Sequence, residues 1–140
     1  MPGTEDSDHI LAGITILAAE DNELNAEILL ELLNMSNVVC DLVSNGQELV
    51  EAFEKSEPGQ YDLILTDIQM PVMNGYDAAR AIRAGSHTRG KVIPIVAMTA
   101  NAFAEDVKEA MDAGMDAHVA KPIDMKNLEA VITELVKKKY

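Results

Sequence analysis

The chain reads DLILTDIQMPVMNG over residues 62–75, and this stretch decides the fold. Its apolar run, residues 63–65, is rich in branched side chains and is followed by a turn, which is typical of a strand buried on both faces of a parallel sheet. Asp67 lies where that strand would leave the sheet. Pro71 and the Asn74-Gly75 pair predict a loop directly after it. The stretch therefore predicts a buried strand that carries a carboxylate to one edge of a sheet.

Three other apolar runs also end in polar groups. The run ITILAA is followed by Glu20-Asp21, the run IPIVAM by Thr99, and the run AHVA by Lys121-Pro122. The carboxyl ends of parallel strands share one edge of a sheet, and ligands of open parallel sheets bind outside that edge. We therefore predict that three carboxylates, one hydroxyl and one ammonium group converge there.

Strand-like and helix-like segments alternate five times along the chain. Further strand residues are predicted at 38–43, and helices at about 23–35, 46–55, 76–84, 102–113 and from Asp124 onward. This alternation indicates an α/β fold with right-handed crossovers. We predict a flavodoxin-like, doubly wound, five-stranded parallel sheet of order 2-1-3-4-5 with five helices. Residues 1–13 are expected to form a flexible N-terminal arm, and residues 14–140 one domain.

Helical spacing of apolar residues predicts which helix faces are buried. In the first helix the predicted buried stripe consists of Leu24, Ile28, Leu32 and Met35, widened by Leu29 and Leu33. In the second helix it consists of Leu49, Val50 and Phe53, and in the fourth helix of Phe103, Val107 and Met111.

Composition limits the classes of function. The formal net charge is −13, from 11 basic and 24 acidic residues, which argues against non-specific binding of nucleic acid. No apolar run approaches the ~20 residues of a membrane-spanning helix, so membrane insertion is not expected. Cys40 has no second cysteine to pair with, and no secretory leader is visible. A cytoplasmic location is therefore expected.

The predicted carboxylate cluster suggests a metal site. Carboxylates held together repel each other, and a hard divalent cation relieves that repulsion. Mg²⁺ fits best, with Asp21 and Asp67 as direct ligands, Glu20 acting directly or through water, and the backbone carbonyl of Gln69 as a further ligand. Mn²⁺ or Ca²⁺ would be substitutes. For any one of these acids alone, a solvated loop residue would be the better interpretation.

The remaining polar groups suggest phosphoryl transfer. Asp67 is the candidate nucleophile, because a carboxylate can take a phosphoryl group and form an acyl phosphate. Lys121 is a mobile cation suited to a phosphate oxygen, although a simple salt bridge to the acids is an alternative role. Thr99 can donate a hydrogen bond to a phosphoryl oxygen or cap the fourth helix. Ala100 is small enough to admit the group.

These residues in this order resemble the receiver domains of two-component phosphorelay systems. The resemblance covers about residues 14–136 and includes EDN at 20–22, the stretch from Asp67 to Gly75, Thr99-Ala100 and Lys121-Pro122. It implies that a phosphohistidine on a sensor histidine kinase or a histidine phosphotransfer domain phosphorylates Asp67, and that Thr99 and Lys121 read the phosphoryl group. EDNELN and MTANAF are most similar to receivers of hybrid histidine kinases, so the chain is either a module of such a kinase or a stand-alone response regulator. No classical turnover is expected beyond assistance to its own phosphorylation and dephosphorylation.

The resemblance and the predicted pocket suggest roles for further residues. His118 stands where many receivers carry an aromatic switch residue, so it either swings inward on activation or is a half-exposed strand histidine. Gln69 and Asn101 flank the predicted pocket and are expected to tune hydrolysis of the phosphoryl group. The fourth helix, fifth strand and fifth helix are the expected output face.

Three other functions are compatible with the same fold. A flavin-binding electron carrier would need a hydroxyl-rich loop after the first strand, and this chain is acidic there and only 4% aromatic. A phosphohydrolase would usually carry a second acid where Gln69 stands. A receiver-like interaction domain that is never phosphorylated would not need the full set of polar residues.

Overall fold

The computed structural model of the protein describes residues 13–99, 104–121 and 123–139, without the side chains of residues 104–107 and 137–139. Strands and helices alternate throughout. The strands are β1 (Thr15–Ala19), β2 (Val39–Val43), β3 (Leu63–Asp67), β4 (Ile95–Thr99) and β5 (Ala117–Ala120). The helices are α1 (Glu23–Met35), α2 (Gly46–Lys55), α3 (Gly75–Ala84), α4 (Ala104–Asp112) and α5 (Met125–Lys139). The five strands form one parallel sheet of order β2-β1-β3-β4-β5, which confirms the predicted topology.

The register of the strands brings their carboxyl ends together. Ala19 of β1 pairs with Thr66 of β3, and Asp67 pairs with Met98 of β4. Thr99 in turn pairs with Ala120 of β5. The residues that follow β1, β3 and β5 therefore leave the sheet at one edge. That shared edge is the geometric condition for the predicted site.

The sheet separates two apolar layers, and alternate residues of β3 point into each. Ile64 packs with Leu49, Phe53 and Ile82 on the face covered by α2 and α3. Leu63 and Leu65 pack on the other face with α1 and α5, through Leu29, Leu33, Leu128 and Ile132. All five residues of β3 are buried, as its unbroken apolar run predicts. Each fully buried Leu or Ile side chain contributes about 1.5–3 kcal/mol to folding.

Side-chain caps fix where the helices begin. The side chains of Asn22, Asn45 and Asn74 each accept a hydrogen bond from the backbone N–H three residues further on, at 2.8–2.9 Å. The Glu48 carboxylate also accepts a hydrogen bond from the N–H of Ser44, the residue before the Asn45 cap, at 2.8 Å. Three of the helices that begin at the functional edge are thus started by asparagine.

In α1 Leu29 and Leu33 are buried as predicted, but other predicted core positions of α1 and α4 are wrong. In α1 the buried residues are Ala26, Leu29 and Leu33, whereas Leu24, Ile28 and Met35 are 65%, 48% and 78% exposed. Nearly every turn of α1 is apolar on more than one side, so spacing alone did not identify the inner face. In α4 Met111 is exposed, and Ala110 packs inward instead. The predicted side-chain positions of Phe103 and Val107 lie outside the described residues.

Within the described parts of the chain, no helix combines the length and the apolar character needed to cross a membrane.

Candidate functional site

Asp67 is the last residue of β3 and lies at the centre of the candidate site. Its side chain is buried, with 7% of the residue exposed. One carboxylate oxygen, Oδ1, accepts a hydrogen bond from the Ile68 N–H at 2.8 Å. The other, Oδ2, lies 3.0 Å from the Lys121 ammonium. The carboxylate is therefore oriented from two sides.

Glu20 leaves the sheet on the neighbouring strand and faces the same cation. It is 4% exposed, and its Oε1 lies 2.9 Å from the Lys121 Nζ. Its Oε2 accepts from the Asn22 N–H at 3.1 Å, which ties the carboxylate to the start of α1. Lys121 thus bridges two buried carboxylates that come from β1 and β3.

Asp21 completes a set of three acids. Asp21 is exposed, whereas Glu20 and Asp67 are buried. Each of the three carboxylates has one oxygen that lies within 4.8 Å of an oxygen of the other two. Three oxygens this close suit a hard divalent cation such as Mg²⁺, which prefers carboxylate ligands and keeps several waters. The three carboxylates outnumber the single ammonium group of Lys121, so the site has an excess of negative charge.

The pKa of Asp67 reflects this environment. Burial, together with the nearby charge of Glu20, raises the pKa of the Asp67 carboxyl to about 6, although Lys121 and the Ile68 N–H oppose the rise. Burial works to lower the pKa of Lys121, but hydrogen bonds to Glu20 and Asp67 outweigh it, so that pKa is raised. At neutral pH Lys121 is charged and most Asp67 side chains are ionised.

Thr99 lies at the carboxyl end of the sheet, whereas His118 lies two residue pairs away from that end. Thr99 is buried at the end of β4, and its carbonyl accepts a hydrogen bond from the Lys121 N–H at 2.9 Å. His118 lies in the middle of β5, beside Ala97 of β4, and is half-buried. Gln69 is exposed in the loop after β3. The predicted roles of these residues stay predictions, and those of Ala100 and Asn101 lie outside the described residues.

An apolar cleft adjoins the acids and was not predicted. It has a volume of about 250 Å³ and is lined by Ile28, Met98 and Ile123 together with Glu20 and Lys121. A sequence signal for it did exist, because α1 carries more apolar residues than one buried face requires. Ile28, which we had placed in the core, instead forms a wall of this cleft.

Comparisons with known proteins point to one family. A family model described as the response regulator receiver domain matches residues 16–133. Hybrid signal transduction histidine kinase G of Dictyostelium discoideum is 41% identical over 121 residues, which are 85% of this chain and 3% of that protein. The chain spans no more than 15% of the length of eight curated relatives that it matches.

Two solved structures add detail. The receiver domain of sensor histidine kinase PA1611 from Pseudomonas aeruginosa, with a magnesium ion coordinated in its active site cleft, is 35% identical with a TM-score of 0.81; the match covers 90% of this chain and 99% of that chain. The receiver domain of Ssk1, co-crystallised with the histidine phosphotransfer protein Ypd1 of Saccharomyces cerevisiae, is 29% identical with a TM-score of 0.79; the match covers 92% of each chain.

Proposed function

Because the chain belongs to the response regulator receiver domain family of two-component signalling, we propose that residues 14–140 form a phosphoacceptor module in which Asp67 receives a phosphoryl group. The observation that carries this proposal is the position of the Asp67 carboxylate. It is buried at a strand end, yet it lies 3.0 Å from an ammonium group and within 4.8 Å of two further acids. A structural salt bridge would need only one of those partners.

The chemical step is the transfer of a phosphoryl group from an imidazole nitrogen. An ionised oxygen of Asp67 forms a bond to phosphorus while the phosphorus–nitrogen bond of a phosphohistidine breaks. The bonding pair stays on the imidazole nitrogen, which takes up a proton. Because the pKa of Asp67 is about 6, the nucleophilic ionised form predominates at pH 7 and above. The product is an acyl phosphate.

The charges around Asp67 support that step. Glu20, Asp21 and Asp67, with the backbone carbonyl of Gln69, would hold Mg²⁺, which when bound neutralises charge on the transferring group. Lys121, already in contact with Asp67, would pair with a phosphoryl oxygen. The Thr99 hydroxyl would donate to another oxygen, and Ala100 would leave room for the group.

The donor is proposed to be a sensor histidine kinase or a histidine phosphotransfer domain. Its histidine must reach a carboxylate that is almost fully buried, so the donor must cover the rim of the site. The exposed Ile28 and Leu24 on α1, and the apolar cleft that continues from Glu20 and Lys121, offer apolar area at that rim. We therefore place the donor against this face of α1, with the parent protein a hybrid histidine kinase or a stand-alone response regulator.

Output is proposed to leave through α4, β5 and α5. Phosphorylation adds charge and strong hydrogen-bond acceptors, which would draw Thr99 and Lys121 inward. A hydrogen bond from the Lys121 N–H to the Thr99 carbonyl joins the ends of β4 and β5, so a movement of either residue affects both strands. Hydrogen exchange with and without a phosphoryl mimic should differ on this face. Identical exchange there would contradict the proposed output.

Transfer from a phosphohistidine donor tests the function itself. The donor is a histidine phosphotransfer protein that carries a labelled phosphoryl group, incubated with the chain and Mg²⁺. We expect label to move to the chain in a form that hydroxylamine releases, since acyl phosphates are cleaved by it. Asp67→Asn should take no label, whereas Asp77→Asn, which changes an exposed acid of α3, should behave like the wild type. Label that survives in Asp67→Asn would refute the assignment.

A further inference from the structure

The loop between β3 and α3, residues 68–74, is fastened to the rest of the molecule by backbone contacts. Gly46, the first residue of α2, donates its N–H to the Met73 carbonyl at 2.9 Å. At the far end of the loop, Gly75 donates to the Ile68 carbonyl at 2.8 Å. A Cβ at Gly46 would overlap the Met73 carbonyl oxygen and lie 2.9 Å from its carbon. The obstacle is backbone, so no flexible side chain can move aside.

Val72, within this loop, has an unfavourable backbone conformation. Its φ is +70°, and the Met73 N–H donates to the Pro71 carbonyl at 2.7 Å across it, which makes a tight three-residue turn. A β-branched residue rarely adopts positive φ, because that conformation is sterically unfavourable. Val72 is 80% exposed, so the packing of its own side chain does not offset that cost. Contacts elsewhere in the loop must hold it.

We infer that Gly46 is a positioning residue for the metal site, because its contact with Met73 fixes the loop that contains Gln69, whose carbonyl we propose as a metal ligand. Gln69 lies between Ile68 and Met73, whose carbonyls accept these two hydrogen bonds. A displacement of either residue would therefore also move the Gln69 carbonyl. The start of α2 therefore sets the affinity for Mg²⁺ without touching the ion. This inference rests on the proposed function, since it concerns the same site.

Gly46→Ala is the direct test. The added Cβ must displace Met73, and we expect the affinity for Mg²⁺ to fall by roughly 10- to 100-fold, the usual effect of losing a group that supports metal ligands. Affinity is measured on the folded protein by following backbone amide NMR signals during a titration with MgCl₂. Gly59→Ala is the matched control. Gly59, unlike Gly46, has a positive φ, of +87°, and a Cβ there meets open space, so the substitution strains the backbone without touching the loop.

A second pair of variants decides the matter if Gly46→Ala does not fold. Val72→Pro holds φ near −65° and so abolishes the turn from an exposed position where no core contact is lost. It should lower the Mg²⁺ affinity in the same way as Gly46→Ala. Val72→Gly permits positive φ and should keep the wild-type affinity.

The outcomes separate this inference from the proposed function. If the wild type binds Mg²⁺ and Val72→Pro, with Gly46→Ala where it folds, binds it equally well, the positioning role is refuted while the phosphoacceptor function stands. If the wild type binds no Mg²⁺ and takes no phosphoryl group, both fail. A loss of affinity in these two variants, with wild-type binding in Gly59→Ala and Val72→Gly, supports the role.

Discussion

The two edges of the same sheet compensate their charged side chains to different degrees. At the amino ends of β4 and β5, the guanidinium of Arg83 donates to the carbonyls of Gly90, Ile93 and Gly114 at 2.7–3.0 Å. It also lies 2.9 Å from the carboxylate of Asp116. That carboxylate accepts in turn from the Ile95 N–H, again at 2.9 Å. Every group in this cluster has partners of its own chain, so it joins α3, β4 and β5 and leaves no charge for a ligand.

At the carboxyl ends the charges do not balance. Glu20 and Asp67 share one ammonium group, and Asp21 adds a third carboxylate close by. Burial and repulsion from Glu20 raise the pKa of Asp67, so ionisation of its carboxyl is less favourable in the fold than in an unfolded chain. The difference teaches that burial alone does not make a functional site. A site for a cation and a phosphoryl group arises where buried charges lack full compensation.

Removing Arg83, whose guanidinium joins the amino ends of β4 and β5, should have the largest effect on stability. Arg83→Leu would leave three backbone carbonyls without the hydrogen bonds that Arg83 donates, so we expect the free energy of unfolding to fall by about 3 kcal/mol. The measurement is urea denaturation. Arg80→Leu is the matched control: Arg80 makes only exposed ion pairs on the same helix, and its loss should cost less than about 1 kcal/mol. Equal losses in the two variants would contradict the structural role of Arg83.

Removing the charge of Asp67 should instead raise the free energy of unfolding. The folded-state pKa of Asp67 is about 6, above the usual 3.8 of an aspartic acid, so ionisation destabilises the fold as pH rises through that window. Without Mg²⁺, Asp67→Asn should therefore be more stable than the wild type by about 2 kcal/mol at pH 8. The difference should vanish below about pH 4, where both side chains are neutral.

Urea denaturation at pH 4, 6 and 8 in the presence of a chelator would show this dependence. Asp77→Asn is the control, since that acid is exposed on α3. A stability difference between Asp67→Asn and the wild type that is the same at pH 4 and pH 8 would show that the Asp67 carboxylate is not destabilised by its surroundings.

A smaller effect, on the rate of phosphoryl transfer, should show that the apolar cleft serves docking of the donor and not the chemistry at Asp67. Ile28→Asp places a charge in the apolar cleft, and we expect phosphoryl transfer from a protein donor to slow by roughly tenfold, as for an interface contact worth about 1–2 kcal/mol. Transfer from a small phosphodonor should not change, because such a donor does not touch α1. Met35→Asp, at the far end of the same helix, is the control and should leave both rates unchanged. Slower transfer from the small phosphodonor would place Ile28 in the chemistry rather than in docking.

The Arg83 cluster and the cluster of acids around Lys121 also differ in how far the sequence predicts them. The acids and Lys121 could be located because each follows an apolar run, and the order of the strands then brings them together. The Arg83 cluster could not, because most of its partners are backbone carbonyls, which every residue has. The same holds for Gly46 and Met73, whose contact depends on how α2 lies against a loop.

The buried faces of the helices were predicted unevenly. In α2, Leu49 and Phe53 alternate with charged residues, so the inner face was correctly identified. In α1, Leu24, Ile28 and Leu32 form a stripe as regular as the one that is buried, and the sequence does not distinguish them. In the folded chain Leu29 and Leu33 pack in the core, and Ile28 lies in the cleft beside the site.

The central claim is that Asp67 is the phosphoacceptor, and intact mass spectrometry tests it most directly. The chain is incubated with a small phosphodonor and MgCl₂, with and without a chelator, as the wild type and as Asp67→Asn. We predict a gain of one phosphoryl mass in the wild type with Mg²⁺, and none with the chelator or in Asp67→Asn. A gain of the same size in Asp67→Asn, or none in the folded wild type with Mg²⁺, would contradict the claim.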